Sequence, residues 1–292
     1  MDSTGLVDIG ANLSHDSFDR DRDAVLQRAW DAGLAAIVVT GSSRDSSRKA
    51  LELAAAHPGR LYATAGLHPH HASDWNKDFA TLIRELAAAP AVVSLGECGL
   101  DYFRNYSPHD AQRRAFIAQL QLAAELNKPL FLHQRDAHVD FVAILREHRS
   151  ALGDICVHCF TDTRAALEDY LHLDCHIGIT GWICDERRGQ SLFELVRLIP
   201  EERLLVETDA PYLLPRTAMH TDVRVPSHGD SLRSRAAQDA QERPPKLSER
   251  RNEPAFLPYV VRRIAEARGV EAGRVGRATA DNARRFFRLP AA

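Results

Sequence analysis

The chain has 292 residues, 45% of them hydrophobic and 26% charged, with a formal net charge of -3 and a pI near 6.5. That is enough apolar material for one large core, and too little positive charge for a globally basic nucleic-acid binder, so any polyanion site must be local. No apolar run reaches the roughly 18 residues of a membrane span, and no basic-then-apolar leader opens the chain.

The cysteines, Cys98, Cys156, Cys159, Cys175 and Cys184, are odd in number. With no secretory signal, this predicts reduced thiols in a cytoplasmic protein, expected to be monomeric and away from membranes.

Short apolar runs alternate with helical stretches along the chain. Strands are predicted at 6–9, 35–40, 61–65, 92–95, 130–132, 155–157, 175–179 and 204–206. The helices that follow them are predicted near 23–33, 45–56, 78–88, 109–126, 137–148, 163–171, 190–198 and 258–267. Phe116, Leu120 and Ala123 fall at i, i+4, i+7 and form one stripe. Gly33 stands where a helix C-cap glycine would stand, and Pro58, Pro90 and Pro200 closely follow predicted helices. Runs this short and continuously rich in Val, Ile and Leu read as strands buried on both faces of a parallel sheet. Eight such units predict an α/β fold, a (β/α)8 TIM barrel forming a single domain over 1–292. A doubly wound sheet is the rival, because local patterns do not show closure. The polar, nearly neutral stretch 217–250 breaks the rhythm and is expected to be a mobile loop after strand 8.

Polar residues recur at or just past the C-terminal ends of the strands. They are Asp8, His68, Glu97, His133, His158 and Asp209. In a (β/α)8 barrel these ends converge on one mouth, where active sites are built. Two histidines and two carboxylates there suit a hard or borderline divalent cation. Each residue alone has a bland account, such as a hydrogen-bonded histidine or a helix N-cap, but four coincidences at one barrel end are harder to explain that way. The single CxxC in "CVHC" is weak evidence for zinc, so His158 is taken as the ligand and both cysteines as core. Arg104, Arg135, Arg187, Arg188, Arg216, Arg250 and Arg251 fall on the same loops, and guanidinium forks match phosphate oxygens. Tyr102, Phe103, Tyr106, Trp182 and Tyr212 lie among them and could stack on unpaired bases.

The segments "DIGANL", "TAGLHPHH", "LGECGLDYFRN", "LHQRDAH", "VHCFTDT", "ETDAPYLLPR" and "RRNEPAFLP" together resemble the TatD family of metal-dependent deoxyribonucleases. The resemblance covers nearly the whole chain apart from 217–250. It implies a (β/α)8 barrel, a divalent metal and hydrolysis of nucleic-acid phosphodiesters. It further implies 3′→5′ exonuclease action on single-stranded DNA and RNA, with a part in repair of oxidative DNA damage. Carried onto this chain, the metal ligands are Glu97, His133 and His158, with Asp209 beside them. Asp209 is the expected general base, Glu97 a catalytic residue that bridges if two metals bind, and His68 an assistant at the scissile phosphate. Arg135, Asn12 and Arg251 are expected to contact substrate.

One departure stands out. Most family members have Asp-x-His-x-His at the first strand, whereas this chain has Asp8, Gly10 and Asn12. Gly10 is expected to leave room, and histidines restored at 10 and 12 to tighten metal binding. With oxygen ligands gaining weight, Mg is the expected cation, Mn next and Zn last. Two other functions fit the same residues: another hydrolase on the scaffold, such as an aminoacyl-tRNA deacylase or an amidohydrolase, and a nucleic-acid-binding module without catalysis.

Overall fold

The computed structural model describes residues 5–216 and 251–290. The expected loop 217–250 lies outside the described residues. Eight parallel strands follow one another around a single sheet in sequence order. They are β1 (Leu6–Ala11), β2 (Leu34–Val39), β3 (Leu61–Ala65), β4 (Val92–Asp101), β5 (Leu130–Arg135), β6 (Ile155–Val157), β7 (His176–Ile179) and β8 (Leu204–Val206). The helices between them are α1 (Arg22–Asp31), α2 (Arg44–Ala56), α3 (Lys77–Ala87), α4 (His109–Leu126), α5 (His138–His148), α6 (Arg164–His172) and α7 (Gln190–Leu195). Two more, α8 (Leu257–Arg268) and α9 (Ala272–Phe287), end the described chain. This is the (β/α)8 barrel, and the doubly wound alternative is excluded by the strand order. Among the described residues no helix is long and apolar enough to cross a membrane.

The seam between first and last strands is closed by polar groups. Asp209 N–H donates to the Gly10 carbonyl at 2.8 Å, and Asn12 N–H to the Ala210 carbonyl at 2.7 Å. Below them the buried Asp8 carboxylate accepts the Thr208 backbone N–H at 2.9 Å and the Thr208 hydroxyl at 2.5 Å. Asp8 therefore belongs to the seam, which explains a charged residue inside an otherwise apolar strand.

Helix ends are set by local chemistry. Ser43 and Ser46 make a reciprocal capping box at the start of α2. Gly33 follows α1 with φ of +91°, as its position in the sequence predicts.

Two cores result. The larger lies between strands and surrounding helices. The smaller fills the barrel itself, where Val7, Ile9, Val38, Phe131, Cys156 and Leu205 meet Ala280, Ala283, Phe286 and Phe287 of α9. Helix α9 was not expected from the sequence. Its buried stripe of Val275, Thr279, Asn282 and Phe286 includes two polar residues, which mutes the apolar period. Asn282 has a structural reason to be polar: its amide donates to the Leu204 carbonyl at 2.8 Å and the Glu201 carbonyl at 2.6 Å, docking α9 onto β8.

His176, at the start of β7, packs edge-on against Phe286 with ring centroids 5.0 Å apart. Burial, reinforced by the Arg203 charge, pushes its pKa from 6.5 down to about 4. The folded state thus holds the neutral ring, while the unfolded chain takes up a proton near 6.5. Stability is full above that pH and falls as pH drops towards 4. Replacing His176 with Leu should remove up to about 3 kcal/mol of this acid-dependent loss. Urea unfolding at pH 7 and pH 4.5 checks it; an unchanged difference between the two would contradict the assignment.

Candidate metal centre at the barrel mouth

Interior strand positions alternate, so residues two beyond a core side chain point into the same space. Phe131 is followed in this way by His133, Cys156 by His158, and Leu205 by Glu207. The apolar members fill the barrel and the polar ones form its upper layer.

The β3 and β4 loops are held from outside by two buried glutamines of α4. Gln119 accepts the Leu67 N–H at 2.8 Å and donates to the Leu67 carbonyl at 3.1 Å, fixing the residue before His68. Gln112 accepts the Asp101 N–H at 2.8 Å and donates to the Asp101 carbonyl at 3.0 Å. His68 then opens a short 3-10 turn, Pro69–Asp74, where its Nδ1 accepts the His70 N–H at 3.1 Å. That bond leaves Nε2 facing inward. Beside it, Gly99 of β4 has φ of +145°, and a Cβ there would lie 1.9 Å from the His133 carbonyl. Only glycine lets β4 and β5 approach this closely.

Glu97 is the hub. Its Oε1 lies 2.9 Å from His158 Nε2, 3.0 Å from His133 Nδ1 and 3.2 Å from His68 Nε2. Two further carboxylates stand behind the histidines. Asp101 Oδ2 lies 3.4 Å from His133 Nε2, and Glu207 Oε2 lies 3.4 Å from His158 Nδ1. Asp101 also meets His70 Nε2 at 2.9 Å.

Electrostatics follow from burial and these neighbours. Burial alone would raise the Glu97 pKa, but the surrounding imidazoles hold it well below the ordinary range. His158 is buried too, yet Glu97 and Glu207 raise its pKa well above the usual value. His133 shifts upward likewise: burial opposes the change, and Asp101 and Glu97 outweigh it. His68 goes the other way, pushed by burial to about 4. Asp209 is pushed up to about 7, chiefly by burial and against the attraction of His158.

The donor set fits a divalent cation. One ligand atom each from His68, Glu97 and His133 lies within 4.8 Å of the others. His133 Nε2, His158 Nδ1 and Glu207 Oε2 are buried without a good hydrogen bond among the described residues. A cation displacing the imidazoles from Glu97 would let these groups rearrange into satisfied contacts.

Glu97, His133, His158 and His68 come together directly. Asp209 is brought to the same mouth and tied to Asn12, whose amide nitrogen donates to Asp209 Oδ1 at 2.9 Å. Asn12 thus serves Asp209. Arg135 reaches the rim, its guanidinium 3.9 Å from the Phe103 ring centroid.

Arg251, expected to contact substrate, is held in ion pairs with Asp21 and Glu253. Its guanidinium donates to Asp21 at 2.8 and 2.7 Å, to Glu253 at 2.8 Å and to the Ser17 carbonyl at 2.5 Å. It staples the chain after position 250 to α1, with its Nε buried and without a hydrogen-bond partner among the described residues. Arg188 and Arg216 are likewise paired, both with Asp185.

Gly10 corrects an expectation. A Cβ there would lie 2.5 Å from Glu207 Oε2 and 2.8 Å from Phe131 Cζ, so the position leaves no room. A histidine cannot simply be restored. Of the two cysteines read as core, Cys156 is fully buried and Cys159 only partly so.

The residues missed by sequence reasoning are Asp101, His70 and Glu207. The signal for Glu207 was its phase with Leu205; for Asp101 it was the continuation of β4 past Leu95.

The family model described as TatD related DNase matches residues 7–288. The chain belongs to this family. A curated relative from Erwinia tasmaniensis, named 3'-5' ssDNA/RNA exonuclease TatD, is 48% identical over 284 residues, covering 97% of this chain and 100% of its own. The protein of the same name from Erwinia billingiae is 49% identical over 286 residues, covering 98% and 100%. Among solved structures, a TatD homologue from Escherichia coli K12 superposes with a TM-score of 0.79 at 25% identity over 98% of each chain. A TatD family hydrolase from Entamoeba histolytica gives 0.80 at 24% identity, covering 97% of this chain and 98% of its own. The TatD family is metal-dependent, and the His/Glu cluster is where this member can hold its metal.

Because His133 and His158 have raised pKa values without metal, a cation must displace protons to reach them. Mn binding at pH 7 should therefore release about one to two protons, and should weaken as pH falls from 8 to 6. Calorimetry in buffers of different ionisation enthalpy measures this. Identical heats in all buffers would contradict the protonated, metal-free cluster.

Proposed function

We propose that this protein is a 3′→5′ exonuclease that hydrolyses phosphodiester bonds of single-stranded DNA and RNA with the help of a divalent metal, Mg in the first place. The observation that carries the reading is the buried Glu97 with three imidazoles on one oxygen, at the mouth of a barrel whose near-full-length relatives are named 3'-5' ssDNA/RNA exonucleases.

Glu97, His133 and His158 would hold the cation, with His68 and Asp209 at its side. A divalent cation held there supplies positive charge that polarises a phosphate oxygen and acidifies water. The protein's own groups supply the rest. Asp209 is suited to general base work because burial raises its affinity for a proton. Asn12 fixes one oxygen of that carboxylate, which leaves the other to take the proton from the attacking water. His68, neutral at working pH, can donate a hydrogen bond from Nε2 to a phosphate oxygen without adding a competing charge.

Substrate contacts follow from what is exposed on the loops around the mouth. Phe103 and Tyr106, after β4, and Tyr212, after β8, are 53%, 66% and 51% exposed. Tyr106 lies edge-on to His70, with ring centroids 4.7 Å apart, so an exposed aromatic stands one residue from the Glu97 cluster. Unpaired bases can stack on such rings, whereas a duplex keeps its bases occupied. Arg135, against Phe103, would hold a flanking phosphate.

Incubation with 5′-labelled single-stranded oligonucleotides and Mg should give stepwise shortening from the 3′ end. Chelation or Glu97→Ala should abolish it, and Asp209→Asn should lower kcat by roughly 10²- to 10⁴-fold. Phe103→Ala with Tyr106→Ala should raise KM for the oligonucleotide by about tenfold while sparing a small chromogenic phosphodiester. No cleavage of DNA or RNA with Mg or Mn would overturn the proposal.

A further inference from the structure

We propose that Glu207 is the positioning residue for His158, and that its carboxylate occupies the seat a side chain at position 10 would need. Glu207 is fully buried in the layer above Leu205. Its Oε1 accepts the Cys159 backbone N–H at 2.6 Å, which anchors one end of the carboxylate. Its Oε2 faces His158 Nδ1 at 3.4 Å, and neither of these two buried atoms has a hydrogen-bond partner among the described residues. Each therefore needs the other. A proton on Nδ1 satisfies both atoms, and once a cation displaces the Glu97 contact it leaves Nε2 as the nitrogen free to ligate.

The seat exists because two strands carry no side chain beside it. A Cβ at Gly178 would lie 2.7 Å from Glu207 Oε1, and one at Gly10 would lie 2.5 Å from Oε2. Both glycines have ordinary backbone conformations, so the requirement is for space alone. Gly10 and Gly178 thus both border the Glu207 carboxylate. A residue at 10 larger than glycine displaces the group that orients His158. Glu207 acts through His158 and need not touch substrate.

The inference rests on reading the Glu97 cluster as a metal site, and is independent of which phosphodiester is cut. In Mg-saturated wild-type protein, long-range proton–nitrogen correlation spectra should show His158 with its proton on Nδ1 and none on Nε2. Calorimetry with Mn should find binding weakened by about tenfold or more in Glu207→Gln, with the circular dichroism spectrum retained. Gly10→Ala should weaken Mn binding in the wild-type background and add little in a Glu207→Ala background, where only the Phe131 ring tip must shift. A His158 proton on Nε2 would overturn the proposal, and this reading needs no variant to fold. Unchanged Mn affinity in folded Glu207→Gln would also overturn it, as would full additivity of Gly10→Ala and Glu207→Ala. A protein that binds Mn in this pattern yet cleaves no nucleic acid would refute the exonuclease reading and leave this one standing.

Discussion

The mouth of this barrel is organised around a carboxylate that cannot stand alone. Glu97 is only 6% exposed, and an unpaired buried charge would cost several kcal/mol. Three imidazoles from the ends of three different strands meet that cost at one oxygen. Two outer carboxylates, Asp101 and Glu207, then face two of those imidazoles from behind. From the centre outwards the Glu97 carboxylate, the imidazoles of His133 and His158, and the carboxylates of Asp101 and Glu207 alternate.

The scaffold serves the same arrangement. Buried glutamines of α4 fix the backbone next to His68 and at Asp101, and Asp8 with Thr208 pins β1 to β8 beneath Asp209. Phe131 forms the floor, its ring 4.6 Å from that of His158. Helix α9 plugs the opposite end of the barrel, so the interior is a packed core and the chemistry is confined to one face.

Most of this architecture was legible in the sequence. The Val, Ile and Leu runs marked all eight strands, and the polar residues just past them marked four of the groups that meet at the centre. What escaped had physical reasons. Helix α9 hides its stripe because Thr279 and Asn282 are buried for hydrogen bonding. Strand β4 carries on through Gly96 and Gly99 to Asp101, where an apolar pattern has already stopped. Arginines can be counted in a sequence but their partners cannot: nothing there ties Arg251 to Asp21 and Glu253. Gly10 looked like space left vacant, and only the three-dimensional packing reveals that Glu207 fills it.

The central claim is that Glu97 and its histidines are a metal centre and not a purely structural ion cluster. Anomalous diffraction from crystals soaked in millimolar Mn tests it most directly. The account predicts a peak at the mouth with Glu97, His133 and His158 as ligands and the direct Glu97–imidazole contacts broken. A cation bound only elsewhere, with Glu97 still paired to all three histidines, would contradict it.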